Sequence, residues 1–295
     1  MQVRTRELAH IHPRLHTLVR YAAAAVVPQK ERRTVVSSYM DQYNCVPPPI
    51  FMILVSVIEI AVFIYYCVDL QEVSLNGPVP YNSPLIYNPS RRYEGWRFLT
   101  YAFIHAGFVH VFFNVLVQLC LGIPLEMIHK GWRVGVVYMA GIVSGSLAVS
   151  ITDPNVFLAG ASGGVYALIS AHLANVAINF KEMEYGIIRL VGLLIFAALD
   201  IGNAVVSRYS MKQNRTSYAA HLSGTIAGFL VGVLVLRNLR VRRWEVIFGW
   251  FAAVFYIVLA GAAVLFNVVN EDYFLPSDMA SLSDSMRKDL QPLNH

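Results

Sequence analysis

The sequence predicts an all-α membrane protein, a bundle of seven transmembrane helices, and three observations carry that expectation. Of its 295 residues, 56% are apolar and only 14% are charged, with a mean hydropathy of +0.52. Soluble domains carry roughly a quarter charged residues. Seven apolar runs each come near the ~20 residues needed to cross a bilayer. The lysines and arginines cluster in the short segments between those runs and favour alternate segments, the pattern of membrane topology. A soluble globular enzyme, a disordered chain and a collagen are thereby excluded. The net charge of +5 does not point to nucleic acid, and no nucleic-acid partner is expected.

The runs fall at residues 50–70, 102–123, 134–152, 156–179, 187–207, 217–236 and 246–269. Backbone polar groups in lipid must bond internally, so each run is expected to be a helix. Residues 1–49 carry scattered charge, and their one apolar run, Tyr21 to Val27, is too short for a secretory signal. Counting alternate segments, fifteen Lys and Arg fall on one side and eight on the other. The positive-inside rule then makes residues 1–49 cytosolic and the tail 270–295 non-cytosolic. The clearest single signal is Arg237, Arg240, Arg242 and Arg243 between spans six and seven.

One connection is long. Residues 71–101 are rich in Pro, Gly and aromatics, among them Tyr81, Tyr87, Tyr93 and Trp96. That is too long for a hairpin and too apolar for an open linker. It reads as a folded loop at the outer membrane interface. Three cysteines, Cys45, Cys67 and Cys120, do not make a disulfide framework and read as packing residues.

Polar residues inside spans are costly and face the bundle interior as a rule. Span two holds His110, Asn114 and Gln118, whose spacing of four puts them on one face. They form either a hydrogen-bonding stripe between helices or part of a site. Span four contains Gly160-Ala161-Ser162-Gly163-Gly164. Gly160 and Gly164 match a GxxxG packing pair. The five residues also match the G-x-S-x-G elbow of soluble hydrolases, but that elbow needs a strand before it, which a membrane helix does not supply. Span six holds Ala220-His221 and glycines at 224, 228 and 232. His221 alone could be a proton relay, a metal ligand or a base.

Together these residues say more. Spans two, four and six all begin on the non-cytosolic side. Ser162 and His221 are each expected about five residues into their helices, roughly 8 Å deep at 1.5 Å per residue. A hydroxyl, an imidazole and amide or imidazole donors are the parts for acyl transfer. Serine attacks only once a base takes its proton, and neutral imidazole serves near neutral pH. Asn114, His110 and the Ser162 N–H could stabilise the oxyanion. No acidic residue lies near His221 in sequence, so the expected device is a Ser162–His221 dyad. Tyr166, one turn after Ser162, could stack on His221 or simply pack in the core.

His110-x-x-x-Asn114, Gly160-Ala161-Ser162-Gly163 and Ala220-His221-x-x-Gly224 resemble the three signatures of the rhomboid intramembrane serine proteases. Trp96-Arg97 resembles the family's first-loop motif, and His105 and Tyr166 fall at positions that its pattern uses. The resemblance runs from about Pro47 to Asn267. A seventh span after a six-helix core is similar to the animal secretase-type branch, as are Gly122-Ile123-Pro124-Leu125-Glu126 and Val165-Tyr166-Ala167-Leu168. It implies a Ser162 nucleophile, a His221 base and oxyanion stabilisation by His110 and Asn114. Tyr166, Gly160, Gly163, Gly164, Trp96, Arg97 and Gly224 are supporting residues. The implied substrates are single-pass membrane proteins, for example EGF-like growth factor precursors, whose ectodomains are released. The implied location is a secretory-pathway membrane: Golgi, endosome or plasma membrane. No EF-hand loop is found, and no metal or cofactor is expected.

Glu59 in span one and Asp200 in span five are read as structurally paired, with Asn203 or Gln118 as partners, or protonated. His105 either supports the first loop or is an interfacial histidine. His172 and His129 read as packing and cytosolic-loop residues. Asn214-Arg215-Thr216 is a glycosylation sequon close to span six. Two other functions fit less well. A transporter would call for an inverted repeat and broken helices, and neither is evident. A non-catalytic binder of membrane proteins would resemble the family's dead members, which lack the nucleophile or the base.

Overall fold

The computed structural model describes residues 48–180, 187–188, 190–195, 198, 218–238 and 241–270. Cys45, Asp200, Asn203, the Asn214 sequon, residues 1–47 and the tail 271–295 lie outside the described residues. The fold is all-α, with no strand among the described residues. Its helices are α1 (Ile50–Asp69), α2 (Arg97–Thr100), α3 (Phe108–His129), α4 (Gly131–Thr152), α5 (Ser162–Asn179), α6 (Tyr218–Val235) and α7 (Arg243–Val269). Residues 187–188, 190–195 and 198, in the expected fifth span, are helical too.

Among the described helices, α1, α3, α4, α6 and α7 are long and apolar enough to cross a membrane. The protein is a multi-pass membrane protein. Helix α5 falls short of that apolarity because it is the centre of the bundle. Thirteen of its 18 residues are buried, against four of the 27 in α7. A helix wrapped by protein needs no lipid-compatible surface, so α5 carries Ser170, His172, Asn175 and Asn179. Helices α4 and α6 pack on α5, α1 packs on α3 and α4, and α7 packs on α6 and α4.

Several helix starts differ from the sequence reading. Helix α3 begins at 108 rather than 102, because Tyr101–Phe103 form a 3-10 turn and Gly107 has φ 90°. A Cβ on Gly107 would lie 2.5 Å from the Asn76 Cα, so only glycine fits where the first loop crosses. Helix α3 continues past 123 to His129, and one residue, Lys130 at φ 76°, separates it from α4. Helix α5 begins at 162 rather than 156. The chain before it is irregular: Tyr87 and Leu158 exchange backbone hydrogen bonds at 3.1 and 3.2 Å. Helix α7 starts at 243 rather than 246, its first turn capped where the Arg242 N–H donates to Glu245 at 2.7 Å.

Buried polar residues join the helices. Gln118 of α3 donates to Ser56 Oγ at 2.9 Å and to Glu59 Oε2 at 3.2 Å, both on α1. The Tyr138 hydroxyl of α4 lies 2.9 Å from Glu59 Oε1 and 2.6 Å from Gln118 Oε1. Glu126 does something that the sequence reading missed. Its two carboxylate oxygens accept the N–H groups of Phe51 and Met52 at 2.9 and 3.0 Å. It thereby satisfies orphan donors at the start of α1 and complements the helix dipole there.

The first loop is folded around Arg97. That side chain is 3% exposed. It donates to the carbonyls of Ser83 and Ile86, both at 2.8 Å, and its Nε donates to Glu94. Trp96 is exposed, and its indole N–H reaches the Pro84 carbonyl at 3.2 Å.

Candidate active site

The Gly160–Gly164 segment is a turn leading into a helix, and the structure gives each glycine a separate task. Gly160 sits outside α5 with φ 112°, a conformation that L side chains rarely adopt. A Cβ there would lie 2.7 Å from His110 Nε2. Gly160 and Gly164 are therefore not a helix-packing pair, which corrects the GxxxG reading. Gly164 makes room for the Tyr138 ring, whose Cδ2 would be 2.7 Å from an added Cβ. Gly163 lies against the Gly141 carbonyl of α4, 3.0 Å from where a Cβ would be.

Ser162 is therefore the first residue of α5 rather than one buried five residues into it. The reason is local. A positive-φ glycine two residues earlier ends the incoming chain and aims it into the helix. No strand precedes the turn, yet the sharp turn into a helix start has the elbow's local shape. The N–H groups of a helix's first turn have no intrahelical partner and point toward what lies in front of it.

Helix α6 meets this turn through glycine. A Cβ on Gly224 would lie 3.1 Å from the Gly163 Cα. Only glycine lets α6 approach so closely. His221 is one turn before Gly224, and its ring stacks on Tyr166, with centroids 4.1 Å apart and planes 15° from parallel. Tyr166 is itself one turn after Ser162. The contacts of Gly163 with Gly224 and of Tyr166 with His221 thus bracket Ser162 and His221. Ser162, Tyr166 and His221 are all half-buried.

Helix α3 supplies the third side. The His110 ring packs on Gly160. The Ala106 N–H donates to His110 Nδ1 at 3.3 Å, which leaves Nε2 as the N–H donor of the neutral ring. His105 is buried, its ring edge-on to His110 at 5.2 Å between centroids. Asn114 is buried, and its amide donates to the His110 carbonyl at 2.8 Å, leaving a second N–H. Gln118 does not join this cluster; it serves the α1–α4 network above.

Tyr101 went unnoticed in the sequence. Its carbonyl accepts the Gly160 N–H at 3.1 Å, and its hydroxyl donates to the Ile142 carbonyl at 2.8 Å. It ties the Gly160 turn to α4, and nothing in its sequence setting distinguishes it from other loop aromatics. His129 is no loop residue. It is buried in the last turn of α3, where its Nδ1 accepts the Arg237 N–H at 2.8 Å. His172 packs with its Nε2 2.9 Å from the Leu121 carbonyl. Cys67 is buried, while Cys120 is exposed.

A bundle that brings a serine-bearing helix start, a glycine-packed histidine helix and a His–Asn face together inside a multi-pass membrane protein defines a narrow class. The chain's own similarities agree with it. Residues 92–238 match the Rhomboid domain. Rhomboid-related protein 2 of Mus musculus is 43% identical over 263 residues, covering 87% of this chain and 85% of that protein. Rhomboid-related protein 3 of Homo sapiens is 40% identical over 259 residues, covering 85% of this chain and 63% of that protein. A Caenorhabditis elegans protein named inactive rhomboid-related protein 2 is 40% identical over 236 residues, covering 79% of this chain and 68% of that protein. The chain belongs to the rhomboid family, whose members are generally intramembrane serine proteases.

Proposed function

We propose that this chain is an active intramembrane serine endopeptidase that cleaves single-pass membrane proteins in or near their transmembrane segments. The observation that carries the reading is the stacking of His221 on Tyr166, one helical turn from Ser162. His221 takes the Ser162 proton as the hydroxyl attacks the scissile carbonyl. The resulting oxyanion is met by His110 Nε2–H, the second Asn114 N–H and the Ser162 backbone N–H. The tetrahedral intermediate collapses, and the leaving amine departs with the proton from His221. Water, activated by the same imidazole, then hydrolyses the acyl-enzyme. The N-terminus is assigned to the cytosol, and the ectodomain is released on the opposite side in a secretory-pathway membrane. Precursors of EGF-like growth factors are candidate substrates.

A second reading is favoured by one observation, a relative named inactive at 40% identity. On that reading the chain binds membrane proteins without cutting them. Against it, this chain retains both Ser162 and His221. Co-expression with a tagged single-pass substrate separates the two. Wild type is expected to yield a released product, identified by mass spectrometry. Ser162→Ala and His221→Ala should each lower the rate by at least about a thousandfold, with expression and melting temperature retained. Cleavage that persists in Ser162→Ala removes the mechanism. Client capture with no product in wild type establishes the second reading.

A further inference from the structure

A cleft of about 320 Å³ lies away from the Ser162 site, between the end of α1 and the first loop. Its walls include Tyr65, Tyr66, Asp69, Tyr81, Asn82 and Ser83. No lysine, arginine or histidine lines it among the described residues. Asp69 is the last residue of α1 and is exposed, with no ion-pair partner among the described residues. The last turn of α1 holds no basic residue, so the negative end of the helix dipole stands uncompensated beside that carboxylate.

The walls are built before any ligand arrives. The Tyr66 hydroxyl and Ser83 Oγ lie 2.6 Å apart, and the Leu85 N–H donates to the same Oγ at 3.0 Å. Arg97 clamps the Ser83 carbonyl from behind, buried and with its charge engaged by Glu94. Tyr65 stands edge-on to Tyr66 at 5.0 Å, and Tyr81 edge-on to Phe157 at 5.4 Å. Three tyrosines, one carboxylate and a helix C-terminus make a site for a weakly hydrated organic cation.

We infer that this cleft binds the trimethylammonium headgroup of a phosphatidylcholine molecule. Helix α1 is a 20-residue apolar span, so its end lies at headgroup level. A quaternary ammonium is what a bilayer presents there that matches aromatic walls beside a single carboxylate. The assignment holds whichever side of the membrane the loop faces, and it needs no catalytic activity.

The test uses the full chain, purified in micelles with equimolar phosphatidylcholine and phosphatidylglycerol, with bound lipid weighed by native mass spectrometry. Wild type should retain phosphatidylcholine over phosphatidylglycerol by at least about twofold, the low end for cation–π recognition. Asp69→Asn and Tyr65→Ala, both at exposed positions, should each bring the ratio near parity, while Tyr65→Phe keeps it. Parity in wild type, or a preference that both Asp69→Asn and Tyr65→Ala leave intact, overturns the inference. Displacement of the lipid by equimolar glycerophosphocholine overturns the lipid as the occupant.

Discussion

Tyr166 and His221 lie face to face, their ring centroids 4.1 Å apart and their planes 15° from parallel. They come from different helices, α5 and α6, and this contact orients the imidazole beside the start of α5. Aromatic pairs of this kind are worth roughly 0.5–1.5 kcal/mol beyond buried area. Tyr166→Phe should therefore keep kcat within about twofold, and Tyr166→Ala should lower kcat by up to about tenfold with little change in KM. Kinetics on a reconstituted fluorogenic transmembrane substrate decide this. Equal losses in both variants would assign the effect to the hydroxyl, not the ring.

Gly160 is the positive-φ turn at the start of the site. Its φ of 112° and the His110 ring in front of it both exclude a side chain. Gly160→Ala should cost about 1–3 kcal/mol and abolish cleavage. Gly261→Ala in α7 is the control, because open space surrounds that position. It should raise stability slightly, alanine being the better helix former by about 1 kcal/mol. Thermal unfolding in detergent ranks the two; a Gly160→Ala protein as stable and active as wild type would refute the strain argument.

Arg97 holds the first loop by contacts that a lysine is unable to reproduce, since two carbonyls and a carboxylate are engaged at once. Arg97→Lys should lose about 1.5–3 kcal/mol and expose residues 71–101 to limited proteolysis. An unchanged digestion pattern would mean that the loop stands without it.

The far end of α6 is clasped as well. Arg133 donates to the Val235 carbonyl at 2.6 Å, and His129 accepts the Arg237 N–H. A charged hydrogen bond of this kind contributes about 1.5–3 kcal/mol. Arg133→Ala should lower the melting temperature and reduce kcat severalfold, with Arg133→Lys restoring part of both. A stability loss with no change in kcat would show that the clasp has no bearing on the height of His221.

A serine at a helix start must reach a peptide carbonyl that its own helix keeps hydrogen-bonded. Substrates are expected to enter between spans two and five and to unwind locally. Placing a Gly or Pro near the cut site should raise the cleavage rate severalfold, by analogy with the cost of those residues in a helix, about 1–3 kcal/mol. Equal rates for rigid and helix-destabilised substrates would count against unwinding.

The apolar runs determined the class of fold, because hydrocarbon admits no unpaired backbone and leaves helix as the available form. The spacing of four within His110, Asn114 and Gln118 likewise fixed one helix face. What the sequence did not reveal is how that face divides, with Gln118 turned to Glu59 and Tyr138 and with His110 turned to Gly160. It placed Ser162 inside a helix, whereas a positive-φ glycine makes it the first residue of one. A hydropathy window does not register a single backbone dihedral. Tyr101, Glu126 and Arg133 stayed silent for a related reason: each acts on main-chain groups of a segment far away in sequence. Local pattern settles what a segment is; partners distant along the chain become neighbours only once the helices pack.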